Sequence, residues 1–110
     1  MAGWFELKQG STGQFHFTLK ASNGEVILSS ETYTTKASAQ KGIDSVRENC
    51  FDATRYNRAQ ASNGRYFFTL RAGNGQVIGN SQMYTSEAAR DGGIDSVRNN
   101  GLTQALRQIA

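Results

Sequence analysis

Gly13-Gln-Phe-His-Phe-Thr-Leu-Lys-Ala-Ser-Asn-Gly24 returns 51 residues later as Gly64-Arg-Tyr-Phe-Phe-Thr-Leu-Arg-Ala-Gly-Asn-Gly75. The same displacement carries Gly42-Ile-Asp-Ser-Val-Arg47 onto Gly93-Ile-Asp-Ser-Val-Arg98, and between Gly13 and Cys50 more than half of the aligned positions are identical without a gap. The chain is therefore two copies of one supersecondary unit. Within the quoted stretch Phe15, Phe17 and Leu19 alternate with His16, Thr18 and Lys20, and Tyr66, Phe68 and Leu70 alternate with Phe67, Thr69 and Arg71. That two-residue period is the mark of a half-buried strand, with the first set of each copy facing the core. Asn23-Gly24 and Asn74-Gly75 read as two-residue type I′ hairpin turns, followed by returning strands at Val26-Ile27 and Val77-Ile78. Upstream, Trp4-Phe5-Glu6-Leu7-Lys8 and Arg55-Tyr56-Asn57-Arg58 supply a third strand per copy.

After the strands the period changes. Thr35 and Ser86 stand where an N-cap hydroxyl is needed, and the following segments are rich in helix-forming residues. Ala39, Ile43, Val46 and Cys50 form one narrow apolar stripe, flanked by Ala37 and Gly42; Ala88, Gly93, Ile94 and Val97 form its equivalent. Glycine in a helix interior costs about 1 kcal/mol relative to alanine, so Gly42 and Gly93 predict close approach of each helix to the sheet. Asn100-Gly101 reads as a left-handed helix terminus. One unit of this size buries too little surface to be stable alone. The expected fold is α+β: two tandem β-β-β-α repeats, at 3–51 and 54–101 of a single 1–110 domain, forming one antiparallel sheet with two helices packed on one face. The tail, residues 102–110, has Leu102, Leu106 and Ile109 at helical spacing and leaves a docked helix or a frayed end open.

The combined pattern, Phe-Thr-Leu-Lys/Arg-Ala-x-Asn-Gly-x-Val-Ile, then Ser-x-x-Tyr-Thr, then Gly-Ile-Asp-Ser-Val-Arg, resembles the YegP-like family of small bacterial proteins built from tandem copies of a domain of unknown function. The resemblance spans residues 3 to about 101. It implies an α+β fold in which two units pair into one sheet, and it implies no established activity, catalytic residue or cofactor.

Composition narrows the function. At 110 residues the chain has the size of one domain. Its apolar runs fall short of the roughly 18 residues of a membrane span, and its first residues lack a basic segment followed by an apolar one, so no secretory signal is expected and the cytoplasm is the expected address. Cys50 is the only cysteine and Gly101 is its counterpart, which argues for a small buried side chain and against a metal or redox role. His16 is the only histidine and its counterpart is Phe67. No zinc spacing, phosphate-binding glycine loop or serine elbow is present, so neither a cofactor nor catalysis is expected.

Two surfaces remain as candidates. By alternation the open face of the sheet gathers Trp4, Glu6, Lys8, His16, Thr18 and Lys20 with Arg55, Arg65, Phe67, Thr69 and Arg71. Basic side chains interleaved with aromatics suit single-stranded nucleic acid. The formal charge of +3 also falls wholly within residues 52–110, which points to an anionic partner. The second surface is a pair of helix patches, Asp44 with Arg47 and Asp95 with Arg98, each spaced to form an i,i+3 ion pair. The leading expectation is a non-catalytic interaction or accessory module with a protein partner or a second copy as ligand. Single-stranded nucleic-acid binding is the alternative, and an enzyme comes last.

Overall fold

The computed structural model describes residues 3–109. Strands β1 (Trp4–Gln9), β2 (Phe15–Lys20) and β3 (Val26–Ser30) precede helix α1 (Lys36–Asn49). A short 3-10 turn, Ala53–Arg55, leads into β4 (Tyr56–Gln60), β5 (Tyr66–Arg71), β6 (Val77–Asn80) and helix α2 (Glu87–Asn100). A final strand, β7, runs from Leu106 to Ile109. All seven strands form one sheet in the order β4-β5-β6-β3-β2-β1-β7. The six repeat strands pair antiparallel, joined where β3 meets β6 through Ser29–Asn80 and Ser30–Gly79.

Both helices lie on one face, and each reaches across the junction: α1 packs on β5 and β6 as well as β2, and α2 packs on β2 and β3 as well as β5. The core between them holds Phe5, Leu7, Phe17, Leu19, Leu28, Ile43 and Val46 with Phe68, Leu70, Ile94 and Val97. The two repeats thus close one shared core.

The close approach signalled by Gly42 and Gly93 is made by tyrosines. Tyr33 exchanges backbone hydrogen bonds with Phe15, each N–H donating to the other's carbonyl at 2.7 Å, which lays its ring parallel to Phe17 at 6.2 Å. A Cβ on Gly42 would stand 2.8 Å from the Phe17 ring and overlap the Tyr33 hydroxyl. Tyr84, Phe68 and Gly93 repeat this arrangement.

Several expectations need correction. The sheet is mixed, because β7 runs parallel to β1; the tail is a strand and neither a helix nor a frayed end. The edge of β1 decides this: the Phe5 N–H donates to the Ala105 carbonyl at 3.0 Å, the Thr103 hydroxyl donates to the Gly3 carbonyl at 2.7 Å, and Arg47 Nε donates to the Thr103 carbonyl at 2.9 Å. The hairpins are not type I′. That turn needs two residues with positive φ, and only Gly24 and Gly75, both at φ 88°, have it. The Gly24 N–H donates back to Ala21 O, and the Asn23 side chain caps the Glu25 amide at 3.0 Å, giving a longer loop closed by a glycine bulge. Ala37 and Ala88 are exposed. The buried place matching Ala39 is taken by Arg90, whose guanidinium lies 5.5 Å from the centre of the Tyr66 ring.

Gly101 is not left-handed: its φ is −68° and its ψ −14°. Glycine is required there for room. A Cβ would stand 2.7 Å from both Cβ and Sγ of Cys50, the side chain at the equivalent place in the first repeat. Leu28 and Gly79, also equivalent, make a second large–small pair, since a Cβ on Gly79 would stand 3.0 Å from Leu28 Cγ and 2.8 Å from the Ser29 carbonyl oxygen. At both places one copy fills the space the other leaves. Gly101→Cys is expected to cost about 1–3 kcal/mol through overpacking. Adding Cys50→Gly to that variant mirrors the pair and should recover part of the loss, as read from urea denaturation midpoints.

Candidate functional site

The face opposite the helices carries an unbroken polar row. The strand registers align Asn57, Thr69, Asn80, Ser29, Thr18, Glu6 and Arg107, one from each strand, across all seven strands. These residues share a face because side chains alternate along each strand and cross-strand partners point the same way. The row divides the sequence-predicted face into two bands. Trp4, Lys20, Arg65 and Phe67 fall on one side, and Lys8, His16, Arg55 and Arg71 fall on the other. Trp4 and Phe67 are four strand steps apart, about 19 Å at ~4.8 Å per step.

The face does not present all these groups equally. The Trp4 indole N–H donates to Glu6 Oε2 at 3.0 Å, and Lys20 Nζ lies 3.2 Å from the same oxygen. The Arg107 guanidinium stacks 4.2 Å from the centre of the Trp4 ring. Glu6 is consequently buried although it stands on the open face. The indole hydrogen bond holds its carboxylate below the usual glutamate range, burial pushes the other way, and Lys20 adds to the lowering. Arg55, the counterpart of Trp4, turns to the end of α1, where its Nε donates to Asn49 Oδ1 at 3.1 Å and its Nη2 lies 3.7 Å from Asp52. Thr69 is 8% exposed, and its hydroxyl is the one buried side-chain polar atom without a hydrogen-bond partner among the described residues. Lys8, His16 and Phe67 are half-buried, while Arg65 and Arg71 are exposed.

The helix patches are not twins. Arg47 Nη1 meets Asp44 Oδ1 at 3.1 Å, while its Nε holds the tail and its guanidinium stacks 5.2 Å from the centre of the Phe5 ring. Arg98 lies over the exposed Phe51 ring at 5.9 Å and forms no ion pair with Asp95 among the described residues. Sequence reasoning missed two features here. Arg107 sits in the tail, outside the repeat bounds read from the sequence. Arg90 was legible from strict repeat spacing, which places it on the buried Ala39.

Chemically reactive groups are dispersed. Cys50 is fully buried, and burial pushes its thiol up. The Tyr56 hydroxyl donates to the Cys50 carbonyl at 2.6 Å, and burial pushes its pKa up as well. Among the described residues no three His, Cys, Asp or Glu side chains are grouped to hold a metal, and no helix is long and apolar enough to cross a membrane. Two shallow clefts of about 240 and 210 Å³ lie on the helix side: one between α1 and the β5–β6 hairpin, the other between α1 and Leu106.

A family profile described as "Domain of unknown function (DUF1508)" matches residues 11–57 and again 61–108. The chain belongs to the DUF1508 family. This DUF1508 chain is 55% identical over 107 residues to the UPF0339 protein YegP of Shigella flexneri, covering 97% of each. It is 52% identical over 109 residues to a UPF0339 protein of Acinetobacter baylyi, covering 99% of this chain and 98% of the relative. Its fold is similar to the solution NMR structure of yegP from E. coli, a protein of unknown function by its own description, at a TM-score of 0.93 and 54% identity over 98% of this chain and 93% of that one. A UPF0339 protein from Shewanella oneidensis, also solved by NMR, matches at a TM-score of 0.93 and 52% identity, over 98% and 92% of the two chains. The two solved relatives share the fold of this chain.

Because the folded pKa of Glu6 lies below its unfolded value, its ionised form contributes stability above about pH 4.3, and that contribution is lost as the pH falls through the depressed pKa. Glu6→Gln should lower stability at neutral pH by up to about 1 kcal/mol. The difference from the parent should close in acid, as followed by urea midpoints across a pH series.

Proposed function

We propose that this DUF1508 chain is a non-catalytic interaction module that works through the uncovered face of its sheet. One observation carries the reading: both helices pack on the same side, so the other side presents a polar row spanning seven strands. A face of hydroxyls, amides and dispersed cations binds without reacting. A cytoplasmic address belongs to the same proposal and suits the single buried thiol.

Single-stranded nucleic acid is the second reading, favoured by the exposed Arg65 and Arg71 and the half-buried Phe67 and His16 flanking the polar row. Phosphates would meet the cations and bases would stack on the rings.

Trp4 is the single tryptophan and stands on this face, so its fluorescence reports occupancy. Chemical-shift mapping with protein and oligonucleotide ligands should move the amides of Thr18, Ser29, Thr69 and Asn80 and leave α1 and α2 still. Shifts confined to the helices would sink the proposal. For the nucleic-acid reading, binding at low salt should weaken as salt rises. Phe67→Ala should cost about 1–3 kcal/mol of it, and Arg71→Ala should reduce the salt dependence. An oligonucleotide response unchanged by either variant would eliminate that reading.

A further inference from the structure

β1 and β4 are equivalent strands at the two outer sides of the paired repeats, and β1 already shows what its edge takes: β7, an extended segment running parallel. We propose that the outer edge of β4, together with α2, is a second strand-acceptor site, for an extended segment of another protein that runs parallel to β4 and carries a Lys or Arg opposite Arg58 followed by an apolar residue opposite Ala59.

The backbone supports the pairing. Phe5 turns its N–H outward to Ala105, so by the two-residue alternation of a strand Tyr56, Arg58 and Gln60 turn theirs to the outer edge of β4. The Tyr56 N–H is taken by the Ala53 carbonyl, which stands in for Ala105. The amides and carbonyls of Arg58 and Gln60 face outward, and among the described residues no strand pairs with them. An edge of this kind is a template for an added strand.

The side chains supply the selectivity. In the occupied site Lys36 Nζ reaches Gln108 Oε1 at 2.7 Å, which marks how far the first residue of the helix extends over the added strand. The place of Lys36 in α2 is held by Glu87, of opposite charge, so the residue matching Gln108 meets an acid. Arg58 does not oppose a cation there, because its guanidinium is engaged by Asp91 at 3.0 Å. On the other face, Ala59 pairs with the half-buried Phe67, where the first repeat pairs Lys8 with His16. A small residue beside an aromatic ring favours an apolar neighbour. The chain's own tail, with Gln108 at the critical place, fits the Lys36 site better than the Glu87 site.

The test is a nitrogen–proton chemical-shift titration of the full chain with two short capped peptides, Ser-Thr-Lys-Val-Thr and Ser-Thr-Glu-Val-Thr. The lysine peptide should shift the amides of Arg58, Gln60 and Glu87 and slow hydrogen exchange at Arg58. Glu87→Lys should reverse the preference between the peptides by about tenfold. Arg58→Pro removes an amide that faces outward and should abolish binding, whereas Arg58→Ala loses the same ion pair and should retain it. Equal response to both peptides, no response to either, or insensitivity to Glu87→Lys overturns the proposal. Shifts confined to Thr18, Ser29 and Asn80 overturn it too while supporting the open-face module, so the two readings fail separately.

Discussion

At the middle of the sheet β3 meets β6 through only two residue pairs, Ser29 with Asn80 and Ser30 with Gly79. The rest of the molecule depends on that short join, because neither repeat encloses its own core. Each helix lies partly over the other repeat's strands, so hydrophobic burial, the dominant favourable contribution to folding, is available only when the halves are in register. The join is held by shape as much as by hydrogen bonds. Leu28 lies against Gly79 and Cys50 against Gly101, and a strictly symmetric pair of copies would leave either a collision or a cavity at each contact. Dense interiors tolerate neither.

That asymmetry propagates outward. Equivalent edges receive different treatment: β1 is covered by β7, anchored through Thr103 and Arg47, while β4 follows a tight turn capped by Asp52, whose Oδ1 accepts from the Thr54 amide at 2.9 Å. Asn49 and Asn100 show how one residue serves both plans. Each donates to the carbonyl four residues back, and each accepts at the start of a strand, Asn100 from the Gly3 amide and Asn49 from the Arg55 side chain. The polar row likewise begins alike in both repeats, Thr18 matching Thr69, and diverges toward its ends, where Glu6 is hydrogen-bonded by Trp4 and ion-paired with Lys20 while Asn57 is exposed. The two halves of the face therefore offer different chemistry to a ligand.

The open face combines few apolar groups with scattered cations. The Arg107–Trp4–Glu6–Lys20 cluster is engaged inside the molecule. What faces outward is a set of hydroxyls and amides at the regular spacing of a sheet, bordered by Arg65 and Arg71. This is a surface for binding by shape and hydrogen bonding, with charge in a supporting role.

The repeat, the alternating strands, the Thr35 and Ser86 caps and the need for glycine at 42 and 93 were determined by the sequence alone, because each rests on contacts within a few residues or on one copy repeating the other. The placement of both helices on one side was expected because one repeat buries too little surface to stand alone, so that the two must share a core. Tertiary structure decided the rest. The helical spacing of Leu102, Leu106 and Ile109 yielded to the unpaired edge of β1, since an open ladder offers hydrogen bonds that a lone short helix lacks. Gly101 looked like a turn residue and proved to be a space for Cys50. Arg107 reached Trp4 only because parallel pairing set it opposite Glu6. Local rules cannot see such partners, which lie about 50 to 100 residues away along the chain and become neighbours only through the closed sheet.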